Sequence, residues 1–249
     1  RRVCLGVAVL ALAWGSVAEA RGKAPLPDAY IAQFHYSPSG SGDKGEGIAI
    51  AVISPTYTQG SLAAFGLQAQ PTQEDNEFGL SLERALIDHL TAWRFTVSGP
   101  FPSANEMTFP EKKQADLLLQ VVLDIRPSQP SDVVTTRVVT NGFTGKQKML
   151  WSADTKVFFT GAIQMTLWEP VTMQRMWSKT LDMPIAESPL RIEETPDPDI
   201  AKRLLRNALF HAIEIVFDST TGQMERFLDP DEIRLVRQQS LELREAKSP

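Results

Sequence analysis

Cysteine is almost absent from this sequence: Cys4 is the only one in 249 residues. Histidine is scarce, with His35, His89 and His211 scattered along the chain. None has a second ligand type at a spacing that pairs them on a metal. Each of the two helical ones, His89 and His211, sits beside an apolar stripe and reads as a packing or surface residue. Cation excess is missing too. There are 25 Lys and Arg against 30 Asp and Glu, a net charge of −5. That balance argues against nucleic acid as a partner and against unaided electrostatic attachment to anionic lipid. After residue 17 no run approaches the ~20 apolar residues that span a bilayer. No G-x-S-x-G elbow occurs. Residues 40–45 formally match G-x-G-x-x-G, but the segment after them reads as a strand. A dinucleotide site needs a strand before the glycines and a helix after them, so this is read as a hairpin loop.

What is present begins with a leader. Arg1 and Arg2 form a basic head, Val3 to Val17 is uncharged and apolar, and Ala18-Glu19-Ala20 offers the small–x–small pattern of a signal peptidase site. The expectation is a signal peptide over residues 1–20, with the mature chain starting at Arg21. Cys4 lies ahead of the apolar stretch, where a lipoprotein would carry its cysteine behind it, so Cys4 leaves with the signal. The exported chain then has no disulfide and no thiol nucleophile. Residues 21–249 are long enough for one domain stabilised by burial.

The pattern within that domain mixes periods of 2 and 3.6. Residues 30–36 alternate and predict a strand, and residues 37–45 predict a loop. The β-branched run 47–54 predicts a strand buried on both faces. Phe78, Leu82, Leu86, Leu90 and Trp93 recur at helical spacing, with Ala85 and Ile87 widening the face, and predict a helix over 78–93. A short strand over 95–98 ends at Gly99-Pro100, and a second buried strand covers 115–125. Residues 127–154 read as a polar excursion with an extra strand at 133–139. A long strand over 156–168 has Val157, Phe159, Ile163, Met165 and Leu167 on one face. It turns at 169–174 into an antiparallel partner over 175–183.

Asp197-Pro198-Asp199 predicts a capped helix start. The helix over 199–217 is expected to bury Ile200, Leu204, Ala208, His211 and Ile215 together with Leu205, Leu209, Ala212 and Val216. Helix-start charge accounts for Asp197 and Asp199 beside Glu193-Glu194 without a bound cation. A last helix from Asp229-Pro230 has Glu232 placed as a capping-box acceptor. Its many charges make it a C-terminal helical tail over 229–249. The fold class is therefore α+β: a largely antiparallel sheet, two main helices packed on one face, and a C-terminal surface helix. No catalytic, cofactor-binding or metal-ligating residue is singled out.

Phe34-His35-Tyr36-Ser37-Pro38, the helix over 78–93, the strand ending Ile125-Arg126-Pro127, the hairpin entering Glu169-Pro170 and the closing helical pair occur in an order that resembles the neuraminyllactose-binding haemagglutinin family. Its known members are bacterial surface and flagellar-sheath lipoproteins. The resemblance implies an exported, adhesin-like envelope protein without enzymatic activity, with protein partners in the envelope or outer membrane, or a sialylated glycan. The family's proposed sialic-acid motif is a Lys/Arg-rich run after the Arg-Pro strand end. Here that place reads Ser128-Gln129-Pro130-Ser131-Asp132, with no cation to meet a carboxylate.

Two other readings stand beside it. The segment 164–179 is similar to hairpins in envelope proteins of the curli-secretion and synthase-activating lipoprotein type, which implies a periplasmic accessory module. A hydrolase would need two carboxylates facing across a cleft.

Overall fold

The computed structural model describes residues 25–58, 73–128, 130–183 and 185–247. The expected signal peptide lies outside the described residues. The architecture is α+β: one mixed, mostly antiparallel sheet with helices packed against it.

Strand β1 (Ala49–Ile53) runs parallel between β3 (Thr96–Phe101) and β4 (Leu117–Pro127). Both its faces are packed, Ile50 and Val52 in one cluster and Ala51 and Ile53 in another, which is why its sequence is a near-continuous apolar run. The two-residue β2 (Thr56–Tyr57) adds to β4 further along. Strand β3 passes through Gly99-Pro100, where the sequence suggested an end. β3 is an edge strand, so the missing N–H of Pro100 interrupts no outer ladder. The register slips there, opposite Ala51 to Ile53.

Strand β6 (Gln147–Glu169) organises the rest of the sheet and starts nine residues before the expected position. One edge of its C-terminal half pairs with β4, and the other with β7 (Gln174–Asp182). Its N-terminal half pairs with β5 (Thr135–Thr140) and with β8 (Ala186–Thr195). Gly161 lies near the middle, at φ 151°, where a Cβ would fall 1.8 Å from the Asp124 carbonyl oxygen. Only glycine fits that close approach.

β8 has no counterpart in the sequence expectations. Its burial alternates strictly over its first eight residues. Pro189 is tolerated because β8 lies at an edge.

Helix α1 (Gln73–Ala92) and helix α4 (Pro198–Phe227) bury their apolar stripes in one cluster with the sheet. Between them in sequence lie two short helices, α2 (Phe109–Gln114), with a capping box from Thr108 and Glu111, and α3 (Pro130–Val133). Asp197 caps α4 as expected, accepting from the Asp199 amide at 3.0 Å, with Pro198 in the first turn. The buried face of α4 is rotated from the expected one. Ile213 and Phe217 are buried, while Ile215 is 39% exposed and His211 lies outside the core.

Helix α5 (Pro230–Lys247) is docked along one face rather than trailing free. Ile233, Val236 and Ser240 are buried, and Arg237 reaches Asp116 at 3.1 Å. The expected reciprocal capping box at its start is replaced. Asp229 accepts from the Asp231 amide at 2.8 Å, while the Glu232 carboxylate turns to Trp177 Nε1 at 2.8 Å and Lys179 at 3.1 Å.

Residues 30–36 do not form a strand. Their burial alternates as the sequence suggests, but the neighbour is α4, not a sheet. Main-chain donors go to helix side chains: Tyr30 N to Asn207 at 2.9 Å, and Gln33 N to Glu214 at 3.0 Å. Phe34 inserts between Phe78 and Phe217, with ring centroids 5.7 and 5.0 Å away. The segment is a strap over the helices. Its period of two comes from an extended chain lying on a surface, which needs no ladder.

Among the described residues, no helix is long and apolar enough to cross a membrane.

Candidate functional site

The glycine-rich loop at 40–45 closes over the C-terminal end of α1. Gly42 and Gly45 donate to the carbonyls of Ala92 and Trp93 at 3.1 and 2.8 Å. The glycines let the chain press against Trp93, whose ring would lie 2.9 Å from a Cβ at either Gly40 or Gly42. The loop meets the negative end of a helix, whereas phosphate binding uses the positive end. It is a packed cap and not the hairpin loop expected, because no strand precedes it.

A cleft of about 210 Å³ lies between the strap and α4, lined by His35, Tyr36, Ser39, Thr221 and Glu225 among others. It is smaller than the ~300 Å³ at which ligand pockets begin. One of its two acids, Glu225, is already engaged: it accepts from Tyr36 Oη at 2.5 Å, from Ser39 N at 3.0 Å and from Ser39 Oγ. Burial would raise Glu225, but the Ser39 and Tyr36 hydrogen bonds outweigh it and hold the carboxyl below its usual range. Burial and the same carboxylate push the Tyr36 phenol up. At the other end of the strap, Glu214 accepts from Tyr30 Oη at 2.7 Å, and the Tyr30 phenol is pushed up to about 12.

His89 lies behind the cleft at 2% exposure. Its Nε2 faces the Leu228 carbonyl at 3.3 Å and its Nδ1 stands 4.0 Å from Glu225. Burial lowers its pKa. It is the packing histidine its spacing suggests. His211 is a surface residue, 3.1 Å from Ser188 Oγ and edge-on to Tyr30. The three histidines do not meet. Among the described residues, no group of three or more His, Cys, Asp and Glu is placed to hold a metal ion.

Two of the acidic residues at 193–199 go to separate partners. Glu194 pairs with Arg137 at 2.6 Å, and Asp197 caps α4. At the place where the family resemblance puts a cationic motif, Ser128 is buried. Its Oγ accepts from the Phe158 amide at 2.8 Å. Arg126, just before it, is bound back to Asp124 at 2.9 Å.

Val138, Val139, Phe143 and Met149 are exposed together in the former excursion. β5 and the first residues of β6 form a two-stranded ribbon, paired from Thr135↔Ser152 to Thr140↔Gln147. The ladder on the other edge of β6 begins only at Trp151↔Thr195. Residues 147–150 therefore pair with β5 alone among the described residues. The ribbon projects about 15 Å past the end of β8, at ~3.3 Å per residue. Val138 and Met149 sit opposite each other on it, both exposed.

At its tip, the Asn141 side chain accepts from the Phe143 and Thr144 amides at 2.9 and 3.1 Å, and Gly145 takes φ 66°. This Asx-type turn is held by its own bonds. It presents Phe143 at 103% exposure. The sequence flagged an extra strand here but missed the exposed aromatic tip. The signal available was Phe143 itself, set between the turn residues Asn141-Gly142 and Thr144-Gly145.

No family model matches the sequence, and no curated protein matches it. Among solved structures, the chain is similar to a neuraminyllactose-binding hemagglutinin homolog from Helicobacter pylori. The TM-score is 0.57 at 17% identity, covering 85% of this chain and 98% of that one. At this identity the likeness is one of fold. A DUF330 protein from Xanthomonas campestris (TM-score 0.31, 13% identity, 80% of this chain and 99% of that one) also matches. So does a hypothetical protein from Chlamydia trachomatis (TM-score 0.33, 10% identity, 72% and 95%). These two superpositions are too loose to carry an argument.

Proposed function

We propose that this is an exported cell-envelope protein that acts by binding or structural association and not by bond-making. The leader pattern of residues 1–20 supports export. The fold shared with a hemagglutinin homolog supports a surface-binding role. The observation that carries the reading is a contrast in how side chains are used. The buried Glu169 and half-buried Glu225 carboxylates are bound to the protein's own main chain, Arg244, Tyr36 and Ser39. Large apolar side chains are instead set out on a projecting ribbon. A sialylated glycan is not the ligand we favour. Its carboxylate calls for Arg or Lys, and residues 128–132 supply neither.

The alternative, an accessory module of an envelope assembly or secretion machine, is favoured by one feature. Among the described residues, no strand pairs with the outer edge of β5, which lies at the end of the sheet order and offers itself to an added strand.

Cell fractionation with N-terminal sequencing tests the proposal. The expected result is a chain beginning at Arg21 in the envelope fraction. A cytosolic pool retaining residues 1–20 overturns it.

A further inference from the structure

We propose that the β5–β6 ribbon is a membrane-docking finger that inserts Phe143 into the headgroup region of an anionic lipid surface. The inference rests on the reading that the protein works by contact in the envelope, and it names the surface contacted.

Three observations converge on the ribbon. Its leading side chain is Phe143, fully exposed at the tip, with Val138 and Met149 exposed behind it on the shank. An aromatic ring held clear of its own protein loses apolar hydration only by entering another phase or partner. The turn beneath it is braced by Asn141, so the ring is presented by an ordered element and inserts without first being ordered.

Charge is the third. The whole chain carries −5, yet residues 135–152 contain Arg137, Lys146 and Lys148 and no carboxylate. Arg137 is paired with Glu194 at the ribbon's base. Lys146 and Lys148 follow the tip on its β6 side, where ammonium groups reach phosphates while the apolar tip dips beside them. A net-acidic body with a locally basic finger approaches an anionic bilayer finger-first. The negative remainder is held off, so the ribbon sets the orientation as well as the contact. The apolar exposure peaks at the tip rather than along the β5 edge. That favours a lipid surface, met end-on, over an added strand, met side-on.

The test uses Phe143→Cys in a Cys4→Ser background, labelled with an environment-sensitive NBD fluorophore, and a control label at Ala246→Cys on the exposed end of α5. The proteins are mixed with phosphatidylglycerol/phosphatidylcholine vesicles and with pure phosphatidylcholine vesicles. The expected result is a several-fold rise in emission at position 143 on the anionic vesicles only, with none at position 246. Binding of unlabelled protein should fall about tenfold in Phe143→Ala, the loss of one buried aromatic side chain. It should fall roughly fivefold for each of Lys146→Gln and Lys148→Gln. Unchanged emission at 143 on anionic vesicles overturns the proposal and leaves the β5 edge, a protein-docking strand, as the use of the ribbon. Vesicle binding that ignores Phe143→Ala, Lys146→Gln and Lys148→Gln overturns it equally. Neither result disturbs the envelope assignment, which fails only on the fractionation result.

Discussion

The Glu169 carboxylate has no solvent exposure, and the Arg244 guanidinium lies 2.8 Å from it, 75 residues further along the chain. The contact ties the β6–β7 turn to the last helix. The Val171 amide donates to the same carboxylate at 3.1 Å, the Thr172 amide donates as well, and Arg244 also reaches the Ala115 carbonyl at 3.0 Å. The C-terminal helix is thus locked to the sheet by a buried charge with all its neighbours supplied.

Arg244→Met leaves that charge without its cation. The expected cost is about 3 kcal/mol of unfolding free energy, because a buried carboxylate stripped of its partner keeps its desolvation penalty. Burial would raise Glu169, but the turn amides and Arg244 overcome this and lower its pKa. A folded pKa below the unfolded value means the unfolded chain takes the proton first as pH falls. This contribution is present above the ordinary glutamate value of 4.5 and is lost as pH drops through the folded pKa. Urea melts of Glu169→Gln across pH 6 to about 3 should show a shallower acid limb than the parent.

Gly161→Ala should be among the most damaging small changes in the chain. Its Cβ would meet the Asp124 carbonyl, which belongs to the β4 ladder and has nowhere to move. A loss of about 3 kcal/mol is expected, set by backbone strain and overpacking. Gly142→Ala at the ribbon tip has open space around it and should stay within about 0.5 kcal/mol of the parent. Thermal melts of the two variants side by side provide the check.

His89 supplies a second pH dependence at higher pH. Burial holds its folded pKa under the ordinary histidine value of 6.5, although the Leu228 carbonyl and Glu225 work the other way. Above 6.5 both folded and unfolded forms are neutral, and the ring contributes no slope. Below it the unfolded chain binds the proton first, so stability falls as pH drops from 6.5 toward the folded pKa. His89→Leu should remove that slope whatever it does to absolute stability. Equilibrium melts between pH 7.5 and about 5 read the slope directly.

Glu225→Ala should free the strap. It removes the acceptor for Tyr36 Oη, Ser39 N and Ser39 Oγ together, worth about 2 kcal/mol for hydrogen bonds to a charged group. The expected readout is rapid chymotryptic cleavage at Phe34 or Tyr36 while the core stays resistant.

Much of the architecture was legible because burial writes itself into sequence. The run at 47–54 became β1, flanked on both edges, and the stripe from Phe78 to Leu90 became the buried face of α1. Asp197-Pro198-Asp199 marked a helix start because a cap is local chemistry. The failures share one cause: periodicity tells that a face is covered, not by what. Residues 30–36 alternate because they lie on α4. β8 was hidden because Pro189 and Glu193-Glu194 look like punctuation, although an edge strand tolerates both. Ile215 was placed inside α4's face and lies outside because the helix is rotated to admit Phe217. The ribbon's reach was not readable at all. It depends on where β8 stops, at Thr195 opposite Trp151, and that register is a tertiary fact.

The measurement that tests the account most directly is labelling of Ala246→Cys, on the exposed end of α5, in intact cells by a charged maleimide that passes the outer membrane but not the inner one. In a Cys4→Ser background, position 246 holds the one thiol of residues 1–249. The account predicts complete labelling before lysis, at the rate of a free surface cysteine. Protection until the inner membrane is broken contradicts it.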